Sequence, residues 1–128
     1  MAKVKKLAEA EIEIMNCIWD MPEMATVREV QEKLYPNGEK AYTTVQTIMN
    51  ILYEKKYLAR KKIGMVNFYA PLISREDAAV TETRSLANRI FHGSFGAMAS
   101  YLINSGELTP DDLQELKKLI AEEEAKNK

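Results

Sequence analysis

The residues best equipped for chemistry sit in one stretch, AYTTVQTIMNILYEKK, running from Ala41 to Lys56. Threonine is a mediocre helix former, yet Thr43, Thr44 and Thr47 crowd the start of what reads as a helix, joined by Gln46 and Asn50. Short polar groups at that place suit hydrogen bonding to flat, edge-on partners. Threonine hydroxyls can bond bases or phosphates, threonine methyls can meet thymine methyls, and glutamine can pair with adenine. Downstream the chain turns basic, with Lys55, Lys56, Arg60, Lys61 and Lys62. Between Lys40 and Ile73 there are six basic residues and one acid, Glu54, inside a chain of formal net charge −1. Such a local excess supplies salt-dependent attraction to a polyanion.

Covalent and metal chemistry find little support. His92 is the only histidine and precedes a glycine, while Cys17 is the only cysteine and lies among apolar residues. A nucleophile needs a base within reach, and a metal needs several ligands at short spacing. No such cluster and no glycine-rich phosphate loop is present, so no catalytic residue, metal site or cofactor is expected. Cys17 reads as a small buried hydrophobe. A catalytic alternative would have to depend on Cys17 or His92.

The elements that must position the polar stretch can be read from periodicity and caps. A first helix is expected from about Ala8 to Asp20, with Leu7, Ile14, Met15, Ile18 and Trp19 on one face. Its start is weak, because Ala8 stands where a capping oxygen should be. Thr26-Val27-Arg28-Glu29 is a capping box that opens a short second helix, and Pro36-Asn37-Gly38 turns the chain. In the third helix Val45, Ile48, Met49 and Leu52 form the buried stripe, with Thr43 expected as N-cap. Alternation over Tyr57–Ile63 and Val66–Ala70, broken by Gly64-Met65 and closed by Pro71, predicts a β-hairpin with a basic first strand.

Three more helices follow. Ser74 caps one that runs to about Phe91, and Ser94 caps a second that ends at Gly106. Thr109-Pro110-Asp111-Asp112 opens the last, with Leu108 and Leu113 as a hydrophobic staple and the tail EEEAKNK expected to fray. Their apolar seams, Leu86, Ile90, Phe95, Met98, Leu102, Leu113, Leu116 and Ile120, are too narrow for a core of their own. They predict a homodimer interface, the alternative being that these helices fold back on the first part of the chain.

The order is helix, helix, helix, hairpin, then three helices. It predicts a mostly α fold with a small β-hairpin: an N-terminal winged helix-turn-helix over residues 1–73, then a three-helix dimerisation region over 74–128. Hydrophobic content of 46% and charged content of 29% describe an ordinary soluble protein, and no apolar run reaches the length of a membrane span. The start, MAKVKKLAEAE, has no apolar stretch of a secretory leader, and a single cysteine permits no intrachain disulfide; both point to a reducing, cytoplasmic setting.

LAEAEIEIMNCIWD, ATVREVQEKL, AYTTVQTIMNILYEKKYLARKK, FYAPLISRED and HGSFGAMASYLINSGELTPDDLQELKKLI resemble the penicillinase and methicillin-resistance repressors, the BlaI/MecI family, over nearly the whole chain. The resemblance implies a homodimeric repressor of transcription, similar to regulators of antibiotic resistance, that binds palindromic double-stranded operator DNA. Thr43, Thr44, Gln46 and Thr47 match its recognition helix and are expected to contact bases; Arg60, Lys61 and Lys62 match its basic wing and, together with Tyr42 and Asn50, are expected to contact the backbone. Three departures stand out. Ile51 occupies a place where family members often carry arginine. Tyr101-Leu102 replaces the Asn-Phe pair cleaved during induction, so the resemblance does not carry proteolytic induction to this site. The C-terminus lacks the cysteines of the copper-responsive branch. The alternative function is a winged helix used for protein contacts without sequence-specific DNA binding.

Overall fold

The computed structural model describes residues 7–127. The basic start of the chain, read above for a leader, lies outside them. Six helices and a hairpin follow in order: α1 (Glu9–Trp19), α2 (Val27–Leu34), α3 (Tyr42–Glu54), β1 (Leu58–Ile63), β2 (Val66–Pro71), α4 (Arg75–Ile90), α5 (Phe95–Asn104) and α6 (Pro110–Lys126). They group into two compact units, residues 1–83 and 84–128.

The first unit is built on the apolar stripes. Ile14, Met15 and Ile18 of α1, Val30 of α2, and Val45, Met49 and Leu52 of α3 are fully buried together with Tyr57, Leu58 and Tyr69. Burying each aliphatic side chain of this kind contributes about 1.5–3 kcal/mol, so these contacts hold α3 in place. Ile48 completes the α3 stripe but is only partly buried. The hairpin pairs antiparallel, with Leu58 opposite Pro71, Arg60 opposite Tyr69 and Ile63 opposite Val66. Gly64, at φ 63°, makes the turn in the left-handed region. Pro71 is the last residue of β2 rather than a residue beyond it.

Local chemistry explains the helix ends. Thr26 Oγ1 accepts from Glu29 N at 3.2 Å while Glu29 Oε1 accepts from Thr26 N at 2.9 Å, the full capping box. Thr109 and Asp112 do the same for α6, at 3.0 Å in each direction. Ser74 and Ser94 accept from Asp77 N and Ala97 N. The expectation for α3 was wrong in detail. Its N-cap is Ala41, with no side-chain bond, and Thr43 lies inside the first turn. The tail also departs from expectation, because α6 continues as helix to Lys126.

Two features tie distant parts of the chain together. The weak start of α1 is made good by Glu11, whose Oε1 accepts from Ala8 N at 2.7 Å and pairs with Lys55 Nζ at 2.6 Å. Lys55 is therefore a structural cation under α1 and not the beginning of the basic wing. Lys55→Met should cost about 1–3 kcal/mol, since it leaves a buried carboxylate without its charge partner. Urea unfolding checks this, and an unchanged midpoint would show that the pair contributes nothing.

The second feature concerns the first unit's end, which falls past Ile73. Trp19 Nε1 donates to Ile73 O at 2.9 Å, Arg75 Nη2 to Asp20 Oδ1 at 2.8 Å, and Leu7 N to Glu82 Oε1 at 3.0 Å. Ala78 is buried in the same core. The first half of α4 thus belongs with α1, and the boundary expected after Ile73 moves to Thr83.

In the second unit, α4 ends with Gly93 N donating to Ala87 O at 2.9 Å, His92 and Gly93 both having positive φ. No residue of α5 or α6 is buried. Ile90, Phe95, Leu102 and Ile120 are each about half exposed, Leu86 and Leu113 slightly less, and Met98 and Leu116 are partly covered.

Candidate nucleic-acid interface

The start of α3 offers open hydrogen-bonding groups and a positive end. No acidic residue lies in its first turn, so the partial positive charge of its orphan N–H groups is not neutralised by its own side chains. Thr43 and Thr44 are exposed, and Gln46 is half-buried. Thr47 is exposed too, but its hydroxyl donates to Thr43 O at 2.9 Å. Its proton is committed to its own helix, which leaves the methyl and the oxygen lone pairs for a partner. Tyr42, at the first helical position, is 39% exposed, and the Arg28 guanidinium lies 5.8 Å from its ring centre.

The hairpin carries the cations on its first strand. Arg60, Lys61 and Lys62 are all exposed on β1. Arg60 is held: its guanidinium is 4.0 Å from the Tyr53 ring centre, and Nη1 donates to Asn50 Oδ1 at 3.1 Å. The same Asn50 oxygen accepts from Tyr69 Oη at 2.8 Å. Burial pushes the Tyr69 phenol up, against a lowering effect of Arg60, so it remains a protonated donor at neutral pH. The tip of the hairpin, Met65, is almost fully exposed.

Between α2, α3 and the hairpin lies a groove of about 490 Å³ whose walls include Arg28, Tyr42, Gln46, Val66, Asn67 and Phe68. Of the residues singled out from sequence, the groove gathers Tyr42 and Gln46. Thr43, Thr44 and Thr47 lie on the adjoining exposed surface of α3, and Lys61 and Lys62 run along the strand. Asn50 Oδ1 takes two bonds within the protein.

Arg28, Tyr53, Asn67 and Tyr69 were missed. Arg28 carried a signal, since it follows the capping threonine that fixes where α2 starts. Tyr69 carried a weaker one, as the tyrosine across the hairpin from Arg60.

Elsewhere the chemistry stays quiet. Burial raises the Cys17 thiol, which disfavours the reactive thiolate. Among the described residues there is no His, Cys, Asp and Glu grouping that could hold a metal, and no helix long and apolar enough to cross a membrane.

A family model described as penicillinase repressor matches residues 7–122. The chain is 27% identical over 128 residues to the penicillinase repressor of Bacillus licheniformis, covering 100% of this chain and 99% of that protein. It is 25% identical over 118 residues to the methicillin resistance regulatory protein MecI of Staphylococcus aureus (strain N315), covering 92% and 95%. Among solved structures, the DNA binding domain of the repressor BlaI matches with a TM-score of 0.52 at 31% identity, over 60% of this chain and 93% of that domain.

Proposed function

The chain belongs to the penicillinase repressor family, a family of transcriptional repressors, and on that premise we propose that it is a homodimeric repressor that binds a palindromic operator. In this reading α3 enters the major groove and the hairpin acts as a wing on the phosphate backbone. Thr44 and Gln46 carry base recognition, with Thr43 and the Thr47 methyl beside them. Tyr42, Arg60, Lys61 and Lys62 contact the backbone, and Arg28 joins them from the groove wall. The helices from Arg84 onward, with their half-exposed Ile90, Phe95, Leu102 and Ile120, form the surface on which a second copy docks. A repressor of this kind works in the cytoplasm, where the bacterial chromosome lies.

The observation that carries the reading is the open α3 start, exposed Thr43 and Thr44 on a helix end with no acid, set beside a groove and a basic wing. It favours DNA over a protein partner, because both the uncompensated helix end and the wing cations attract phosphate. The test is selection of duplexes from a random library, followed by salt titration of the selected duplex. Affinity should fall steeply with salt. Arg28→Ala should weaken binding to specific and scrambled duplexes alike and reduce the salt slope by about one unit per site. A chain that selects no duplex, and whose affinity ignores salt, would be a protein-interaction module instead.

A further inference from the structure

Two residues of the hairpin, one from each strand, close on one acceptor atom of α3. Asn50 Oδ1 takes a bond from Tyr69 Oη at 2.8 Å and one from Arg60 Nη1 at 3.1 Å. Tyr69 cannot shift to suit its partners. It is 1% exposed, and its backbone N–H and C=O are both bonded to Ala25 at 2.8 Å, which fixes it to the segment ahead of α2. Arg60 stands opposite Tyr69 in the hairpin register and stacks on Tyr53, its guanidinium 4.0 Å from the ring centre. Asn50 and Tyr53 are one turn apart on α3 and so present neighbouring side chains. Bonds from β1 and β2 thus converge on a single turn of the helix that would read DNA.

We propose that Asn50, Tyr53 and Tyr69 are positioning residues that set the pitch of the wing against α3 and aim Arg60 at a phosphate of the bound strand. The proposal rests on the DNA-binding reading above and assigns to Asn50 a different role from direct backbone contact. Arginine suits the task and lysine does not. The planar guanidinium can stack on Tyr53 and use one edge for Asn50 while its remaining N–H groups stay available for an anion. A group already held in place loses less freedom when DNA binds. Lysine would keep the charge but has no plane to stack and no fork to share.

The test uses the full chain, a duplex selected by the wild-type protein from a random library, and a scrambled duplex of equal length. Arg60→Lys should lose roughly tenfold in affinity for both duplexes and about one unit of salt slope per wing, although formal charge is unchanged. Tyr69→Phe, which removes only the hydroxyl, should show the same loss, and the two changes together should add little further. Arg60→Lys binding with wild-type affinity and slope would overturn the proposal, because Arg60 would then act as a point charge. Tyr69→Phe that lowers Tm but leaves the slope untouched would also overturn it, since the bond would serve stability alone. If Tyr69→Phe fails to fold, Arg60→Lys, at an exposed position, still decides. A wild-type chain that selects no duplex is a separate result, which removes the DNA-binding reading itself.

Discussion

A Thr44→Ala, Gln46→Ala double variant should lose most of its preference for the selected operator over a scrambled duplex while keeping its salt slope. Each good base contact discriminates by about 1–3 kcal/mol, so losing two should cost roughly 30- to 20,000-fold in the specificity ratio. The slope should hold because neither residue carries charge, and counterion release depends on the cations. Stability should hold too, since Thr44 is exposed and Gln46 half-buried, outside the stripe of Val45, Met49 and Leu52. Thr47 provides the internal control. Its hydroxyl proton is bonded to Thr43 O, so Thr47→Val keeps the methyl, deletes the back-bond and the free lone pairs, and should change discrimination less than either other substitution. Binding titrations on both duplexes across a salt series read all of this at once. Unchanged discrimination in the double variant would show that α3 does not read bases through these residues.

Much of the fold was legible because it is written locally. Four helix starts, at Thr26, Ser74, Ser94 and Thr109, were marked by oxygen-bearing caps, and each cap makes its expected bond. The hairpin was legible from alternation and Gly64. What escaped was long-range or lacked a side-chain signal. Ala41 caps α3 through backbone alone, so the first threonine inside the helix drew attention instead. Lys55 looked like part of a surface charge run, whereas its partner Glu11 lies 44 residues earlier in the chain. The end of the first unit was hidden in the same way, because a serine cap marks where α4 starts but not what its first half packs on. For the candidate site, residue types pointed to the polar α3 face and the wing cations. The turn at Gly64-Met65 already sets Arg60 opposite Tyr69, but the bracket also needs the packing of the hairpin on Asn50 and Tyr53, which spacing along the chain does not contain.

The revised boundary sharpens the prediction about assembly. A fragment ending at Thr83 keeps the α4 residues that pack on α1, so it should be folded and monomeric, where one ending at Ile73 would be stripped of Ala78 and the Glu82 bond. In the full chain, Leu102→Glu with Ile120→Glu should give the same monomer without unfolding. Both side chains are about half exposed in the single chain, so the carboxylates stay solvated there. In a dimer seam they would be buried as unpaired charges, a cost of several kcal/mol. The effect on DNA binding should be larger than that of any single contact residue. Two wings and two α3 helices joined in one dimer make the second half-site an intramolecular partner, a gain of about 10²- to 10⁴-fold that a monomer forfeits. The double variant should therefore bind an isolated half-site as well as wild type does, yet lose its advantage on the full palindrome. Sedimentation measures the first half of this prediction and titration on the two duplexes the second. A double variant that still sediments as a dimer would place the interface elsewhere, and a monomer that keeps full palindrome affinity would show that assembly is not what strengthens binding.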